Sequence, residues 1–221
     1  MRRREFIGCM VGSAALRSVA SLAQQPKVPV IGMLFAGNVP EFQIRVFWQG
    51  LRELGYIEGQ NIRQEIRSAE GDPLRLPEMA AVLVREQVDV IVPFNSDAAL
   101  AIKHATGEIP IVLLANGDPV GMGLVASLAR PGGNITGTSS MAAELAGKHV
   151  EFLKEMCYRT LNRIAALLNA ADPFSKPLVE HIRLAGKALH IEIVPFMVAA
   201  GPELDAAFPA MVDNKVEAVI V

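Results

Sequence analysis

Short apolar runs alternate with longer amphipathic runs from Val28 to the end of the chain. This alternation is typical of βαβ units, in which a buried strand, a crossover helix and a parallel strand follow each other. In a first unit, the predicted strands are Val30–Phe35, Asn61–Ile66, Val88–Pro93, Ile109–Leu114 and Asn134–Thr136. The predicted helices are Pro40–Leu54, Leu74–Glu86, Ser96–Ala105 and Gly121–Leu128. We therefore expect a five-stranded parallel sheet with right-handed crossovers.

A second unit with the same alternation is predicted from Thr138 to the last residue. Its elements are, in order, helix Ala142–Met156, strand Arg163–Leu168, helix Phe174–Leu189, strand Ile191–Val198, helix Pro202–Asn214 and strand Val216–Val221. We predict two lobes, at residues 28–137 and 138–221. The chain stops inside an apolar run, whereas termini usually lie in exposed, polar sequence. We expect the second lobe to be incomplete; the alternative is a complete three-stranded domain.

The first 23 residues have the pattern of an export signal. The basic stretch Arg2–Arg4 precedes the apolar run Ile7–Leu16, and Ser21–Ala23 is a small-x-small cleavage pattern. Paired arginines are typical of the twin-arginine (Tat) route, but Arg17 interrupts the apolar region, so Tat and Sec export both stay open. We predict a periplasmic protein with its signal peptide cleaved near Ala23. The alternative is a basic N-terminus on a cytoplasmic protein.

Composition excludes several classes of function. The formal net charge of −2 argues against nucleic acid or an anionic membrane as partner. No apolar run approaches the roughly 20 residues that span a bilayer. Signal cleavage would remove Cys9 and leave Cys157, so no intramolecular disulfide is expected. The four histidines have no metal-ligand spacing and no phosphate-binding glycine motif occurs, so we expect no metal, no cofactor and no catalytic residues.

The segment Asn116–Ser140, which reads NGDPVGMGLVASLARPGGNITGTSS, carries the strongest indication of function. It places polar and Gly-rich residues just beyond the carboxyl end of a predicted strand. Open α/β sheets bind their ligands at this position. No nucleophile–base pair and no metal cluster accompany the segment in the sequence, which favours binding over catalysis.

Here the chain resembles the substrate-binding proteins of ABC transporters, in particular a branch associated with aromatic amino acids. The motifs that carry the resemblance are RRREFI near the N-terminus, FWQGLRELGYIEGQNI (47–62), RLPEMAAVLVREQVDVIV (75–92) and ATGEIPIVLLANGDPVGMGLVASLARPGGNITG (105–137). The resemblance implies an α/β, two-lobed periplasmic-binding-protein-like fold of type I, with a parallel sheet flanked by helices in each lobe. It implies capture of a small solute between the lobes for an ABC permease. We expect the protein to be a monomer.

Candidate ligand-binding residues lie in the loops that follow predicted strands. They are Phe35, Gly37, Asn38, Asn95, Ser96, Asp97, Asn116, Asp118, Thr138, Ser139, Asn169 and Asp172. The residues up to Asp118 belong to the predicted first lobe, and the others are candidate contacts from the second lobe. Hydroxyl, amide and carboxylate groups of this kind suit a small polar solute.

Several of these candidates also have a purely structural interpretation. Ser96 and Asp97 begin a predicted helix, where they either cap it or leave its N–H groups for a ligand anion. Asp118 either accepts a hydrogen bond from a ligand ammonium group or completes an Asn-Gly-Asp-Pro turn. Phe35 either stacks on an aromatic ligand or belongs to the core. Ser68 stands where relatives commonly carry Trp, so the resemblance does not supply the aromatic contacts.

Three functions are compatible with the sequence. The first is solute binding for an ABC importer, without bond chemistry. The second is a binding module that senses a ligand and partners a membrane receptor. The third is a cytoplasmic α/β enzyme such as a racemase, which would need a thiol or carboxylate pair facing one cleft. We predict the first, and the resemblance implies an amino acid or aromatic compound as the ligand. A non-functional fragment is a further alternative, because the second lobe is expected to be incomplete.

Overall fold

The structure is a computed structural model that describes residues 27–157, 161–199 and 201–221. The predicted export signal at residues 1–23 and Cys9 within it lie outside these ranges. The described part of the chain forms two parallel β-sheets, one of five strands and one of three. Each sheet carries helices on its faces, as the alternation of apolar and amphipathic runs predicts.

The five-stranded sheet has the order β2-β1-β3-β4-β5, and every pair in it is parallel. Its strands are β1 (Val30–Phe35), β2 (Arg63–Ser68), β3 (Val90–Pro93), β4 (Ile111–Asn116) and β5 (Ile135–Ser139). All six residues of β1 are buried, because helices cover both faces of a parallel sheet. The chain adds β2 on one side of β1 and β3 on the other, so a topological switch point lies between β1 and β3.

The helices of this unit are α1 (Glu41–Glu53), α2 (Leu76–Arg85), which follows a 3₁₀ turn at Pro73–Arg75, and α3 (Ser96–Ala105). Trp48 of α1 packs on one face of the sheet with Met33, and Leu83 and Ile102 pack on the other with Ile91. The predicted helices Pro40–Leu54 and Leu74–Glu86 agree with α1 and α2 to within two residues at each end, and α3 has the predicted bounds. Gly55 follows α1 at φ +88°, and the Asp72 carboxylate accepts a hydrogen bond from the Leu74 N–H at 3.0 Å.

The three-stranded sheet has the order β7-β6-β8 and is also parallel. Its elements are β6 (Arg163–Asn169), β7 (Glu192–Val198), β8 (Ala218–Ile220), α4 (Ala142–Met156), α5 (Ser175–Leu189) and α6 (Gly201–Asp213). Successive residues of the central strand β6 point to opposite faces. Ile164 packs against α4 and α5, while Ala165 packs against Met211 of α6. A second switch point therefore lies between β6 and β8.

The helix predicted at Gly121–Leu128 is wrong, because this segment forms a series of turns. The Asp118 carboxylate accepts a hydrogen bond from the Gly121 N–H at 2.7 Å, and Gly123 has a φ of +69°. The Pro119 carbonyl accepts from the N–H groups of both Leu124 and Val125. Two glycines and a competing side-chain acceptor break the i→i−4 ladder that a helix needs.

The lobe boundary predicted after residue 137 falls inside β5. Ser139 pairs with Asn116 of β4, so Thr138 and Ser139 belong to the five-stranded sheet. The prediction that Thr138 and Ser139 are contacts from the second lobe is therefore wrong. The crossing to the second sheet follows at Ser140 and Met141, and Met141 has a left-handed φ of +51°.

Candidate ligand-binding cleft

A cavity of about 310 Å³ lies where the carboxyl ends of the two sheets meet. We call it the interlobe cavity. It is lined by Ala36, Pro93, Phe94, Asn95, Ser96, Asp97, Ala99, Leu113, Leu114, Ala115, Asn116 and Gly117 from the first sheet and by Asn169 and Asp172 from the second. Most of these residues lie at or just beyond the carboxyl ends of β1, β3, β4 and β6, so the cavity occupies the switch points at which open α/β sheets bind ligands.

Half of the candidate residues line this cavity and half do not. Those brought together are Asn95, Ser96, Asp97, Asn116, Asn169 and Asp172. Those placed elsewhere are Phe35, Gly37, Asn38, Asp118, Thr138 and Ser139. The first group reaches the cavity from both sheets, which is the arrangement that a two-lobed binder requires.

Phe35 is a core residue with only 2% of its surface exposed. Its ring stacks on that of Phe94, with the centroids 4.2 Å apart. Phe94 directly follows β3 and lines the interlobe cavity. The aromatic surface of the cavity is therefore supplied by Phe94, which the sequence did not single out. The sequence does contain the signal that would have identified Phe94, because Phe94 directly follows a buried strand, as the candidate residues of the loop after β1 do.

Gly37 and Asn38 belong to the loop after β1 but do not reach the cavity. The Gly37 carbonyl accepts a hydrogen bond from the Ser68 hydroxyl at 2.6 Å, and Asn38 is exposed. The neighbouring Ala36 N–H donates to the side-chain oxygen of Asn95 at 3.2 Å. These bonds fix the position of the loop, so its contribution is to hold Asn95 at the edge of the cavity.

Asp118, Thr138 and Ser139 use their side chains in local hydrogen bonds. The Asp118 carboxylate closes the turn to Gly121 described above, which is the structural interpretation of this residue. The Thr138 hydroxyl accepts from the Ala115 N–H at 2.9 Å, and the Ser139 hydroxyl accepts from the Met141 N–H at 3.0 Å. Asp118 and Ser139 also border a neighbouring cavity of about 330 Å³.

The N-terminus of α3 opens directly onto the interlobe cavity. Its N-cap residue is Asn95, and no side chain caps the helix among the described residues. The expectation that Ser96 or Asp97 caps α3 is therefore wrong, because both residues already lie inside the helix. The first-turn N–H groups and the positive end of the helix dipole face a cavity that these two residues line.

Two buried oxygen atoms in the cavity wall have no hydrogen-bond partner among the described residues. They are Oδ1 of Asp97 and Oδ1 of Asn116, and only 9% of Asn116 is exposed. Buried polar atoms in folded proteins are nearly always paired. The exceptions here lie together at the place where a ligand would meet the protein.

The carboxylate of Asp97 is the most perturbed titratable group of the cavity. Burial, and to a smaller extent the negative charge of Asp172, together raise its pKa from the ordinary value of 3.8 to about 6. Asp172 comes from the opposite lobe, where its carboxylate also accepts a hydrogen bond from the Phe174 N–H at 2.9 Å. The two lobes therefore face each other with like charges.

This perturbation predicts a pH-dependent stability. Because the folded-state pKa of Asp97 is raised, the folded protein binds more protons than the unfolded chain between pH 3.8 and about 6. The contribution of Asp97 to the free energy of unfolding is therefore lost as the pH rises through this window. We expect Asp97→Asn to raise the melting temperature at pH 8 and to change it little at pH 4.

Melting curves of both proteins over this pH range check that prediction. Asp205→Asn on the exposed face of α6 is a matched control, since it makes the same chemical change away from the cavity. The other titratable group that lines the interlobe cavity, Asp172, is common to all three proteins. A difference in melting temperature between Asp97→Asn and the parent that does not grow with pH would contradict the prediction.

Within the described residues, no group of three or more His, Cys, Asp and Glu side chains is placed to hold a metal ion. Cys157 is a partly buried free thiol at the end of α4. In the part of the chain that the structure describes, no helix is long and apolar enough to cross a membrane.

Two parallel sheets that enclose a polar cavity between their carboxyl ends define a two-lobed solute-binding fold, the periplasmic-binding-protein fold of type I. The family model of the ABC transporter substrate binding proteins matches residues 42–221. The chain therefore belongs to the ABC transporter substrate-binding protein family, as the resemblance of its motifs had implied.

Individual relatives agree with this assignment. A tyrosine-binding protein of Clostridioides difficile (strain R20291) is 30% identical over 175 residues, which are 79% of this chain and 50% of the relative. A conserved domain protein from Vibrio cholerae is 28% identical, with a TM-score of 0.77 over 87% of this chain and 64% of the other. An ABC domain from Streptococcus pneumoniae in complex with L-Trp is 28% identical, with a TM-score of 0.74 over 86% and 64%.

The chain spans half the length of this curated relative and 64% of the length of both solved chains. What these proteins bind is a property of the complete relatives. The fold and the family are common to them and to this chain.

Proposed function

We propose that this protein captures a small solute in the interlobe cavity and delivers it to an ABC permease for import. The observation that carries the proposal is the cavity itself, which residues from both sheets line at their switch points. Its volume of about 310 Å³ falls within the usual range for small-molecule sites. The solute leaves unchanged, and the role requires no cofactor.

The lining of the cavity suits a ligand with one polar and one apolar end. Phe94, Leu113 and Leu114 offer apolar surface, while Asn95, Ser96 and the residues with free oxygens offer polar groups. An amino acid or an aromatic compound combines these properties. Relatives that bind tyrosine and tryptophan support this class of ligand.

Capture depends on closing the two lobes around the solute by a hinge motion. The chain crosses between the sheets at Ser140 and Met141. The Ser140 N–H donates to the Asn116 carbonyl at 2.9 Å, and the Ala142 N–H donates to the Gly117 carbonyl at 3.1 Å. The hinge is thus bonded directly to the strand end that lines the cavity, and a solute held there bridges both lobes.

Delivery to an importer also requires export of the protein. We propose that residues 1–23 act as the signal peptide and that the mature protein works as a monomer in the periplasm. The basic, apolar and small-x-small pattern of this segment supports the proposal.

A ligand panel tests the capture function. We expect one or more amino acids or aromatic acids to raise the melting temperature of the 221-residue chain, because a ligand of the folded state stabilises it. At a hundred times its Kd, the stabilisation is about 2.7 kcal/mol. Differential scanning fluorimetry against the panel gives the shift.

Two variants link the shift to the interlobe cavity. Leu114→Arg fills the cavity from a half-exposed position and is expected to remove the shift. Leu74→Arg makes the same change at a position with 88% exposure outside the cavity, and is expected to retain it. A panel that produces no shift, or a shift that Leu114→Arg leaves intact, would count against solute capture in this cavity.

A further inference from the structure

The free polar atoms of the interlobe cavity have one chemical character. Oδ1 of Asp97 and Oδ1 of Asn116 are both hydrogen-bond acceptors, and both lack a partner among the described residues. Asn116 is nine-tenths buried and lines the cavity. An acceptor that loses its water on burial needs a donor in return. The cavity wall is therefore complementary to a ligand group that carries several N–H or O–H donors.

The charged side chains of the cavity have one sign as well. Asp97 from the first lobe and Asp172 from the second are the charged side chains that line it, and no Lys, Arg or His does so among the described residues. Their mutual repulsion contributes to the raised pKa of Asp97. A cation placed between the two carboxylates would remove that repulsion and gain charge-assisted hydrogen bonds to both.

We propose that Asp97, Asn116 and Asp172 form a receptor for a primary ammonium group, and that this group decides which solutes the cleft accepts. An ammonium group carries three N–H donors and no acceptor, which matches three oxygen-bearing side chains. The inference rests on the proposed solute capture and specifies its ligand. Aromatic acids without an amine are expected to bind more weakly, because they bring no ammonium group to offset the repulsion between the two carboxylates.

The same receptor couples binding to closure of the lobes. Asp97 and Asp172 belong to different lobes, so their repulsion favours the open form. The ammonium group attracts both carboxylates and favours the closed form, since its interaction free energy is larger when both are near. A ligand carboxylate is not part of this receptor, and an amine without one is therefore expected to bind.

Matched ligands test the inference by isothermal titration calorimetry at pH 7.5 with the 221-residue chain. The pairs are L-tyrosine with 3-(4-hydroxyphenyl)propionate, L-tryptophan with indole-3-propionate and L-leucine with 4-methylpentanoate, and tyramine is added as an amine without a carboxylate. We expect an amine to bind and its des-amino partner to bind roughly a hundredfold more weakly, as for a buried charge left unpaired. Tyramine is expected to bind more tightly than 3-(4-hydroxyphenyl)propionate.

Side-chain variants test the residues themselves. Asp97→Asn and Asp172→Asn are each expected to weaken binding of the amine roughly ten- to a hundredfold, the value of a hydrogen bond to a charged group. Asn at position 172 retains an oxygen that accepts from the Phe174 N–H, so the loop is kept. Asn116→Leu is expected to weaken the amine as well. Asp205→Asn is the matched control and should bind as the parent does.

The outcomes separate this inference from the proposed function. Equal binding of an amine and its des-amino partner, or unchanged amine affinity in both Asp variants, would overturn the ammonium receptor and leave solute capture standing. Failure of every compound in the panel to bind would overturn both. A loss of amine binding in Asp97→Asn and Asp172→Asn, with unchanged melting temperature or an increased one, would support the receptor.

Discussion

We expect Gly117→Val to reduce the affinity for the captured solute on the order of a hundredfold, the equivalent of about 2.7 kcal/mol. Gly117 follows β4 in the first lobe, and the ring of Phe174 from the second lobe lies directly over it. A Cβ atom at position 117 would be 2.7 Å from Cζ of Phe174. The larger side chain therefore separates the lobes and opens the cavity that both of them line.

Titration of the parent and the variant with the most stabilising ligand of the panel measures this effect. Gly133→Val is the matched control, because a Cβ atom at Gly133 meets nothing within 4 Å. Removing the ring as well, in Gly117→Val with Phe174→Ala, is expected to restore part of the affinity, which identifies the contact as the cause. Parent-like binding by the single Gly117 variant would show that the lobes close without this contact.

The largest loss of stability is expected from Gly137→Ala. Gly137 lies on β5 with a φ of +140°, a conformation that only glycine adopts readily. An added Cβ atom would collide with the Leu113 carbonyl oxygen and lie 2.6 Å from the Leu113 nitrogen on the paired strand β4. Backbone strain and the clash together are expected to lower the free energy of unfolding by about 3 kcal/mol or more.

Urea denaturation measures this loss. Gly50→Ala makes the identical change inside α1, where the new Cβ atom has free space. It is expected to stabilise the protein by about 0.5–1 kcal/mol, because glycine is a poor helix former. The two variants thus move in opposite directions. Equal free energies of unfolding for Gly137→Ala and the parent would show that the β4–β5 pairing tolerates a side chain there.

The predicted elements agree with the structure where local sequence determines the conformation. The apolar run Val30–Phe35 is β1 with the predicted bounds, and Ser96–Ala105 is α3 with the predicted bounds. The segment Gly121–Leu128 was mistaken for a helix because its apolar residues recur at helical spacing. Its conformation is decided by the Asp118 side chain and by Gly123, whose effects hydropathy does not register.

The position of the candidate site could also be predicted from local sequence, but the side chains that line it could not. Polar residues after strands predicted the edge of the sheet at which the cavity lies, since the carboxyl ends of parallel strands share one edge. Which side chain faces the cavity depends on packing. Phe35 ends β1 and Phe94 directly follows β3, yet Phe35 is buried beneath the ring of Phe94, which lines the cavity. Asp118 and Asp97 both follow strands, yet a turn occupies the carboxylate of Asp118.

By itself, the sequence determined the order of strands and helices outside the segment Gly121–Leu128, the parallel sheets and the family, because these follow from hydrophobic periodicity and from motifs that are local in the chain. Only the tertiary structure decided that Asp97 and Asp172 share one cavity and that Gly117 contacts Phe174. These partners come from different lobes and meet only when the two sheets are packed together. The burial of Asn116 and the lack of a hydrogen-bond partner for its side-chain oxygen also arise from that packing. A residue acquires its neighbours and loses its water only in the folded protein.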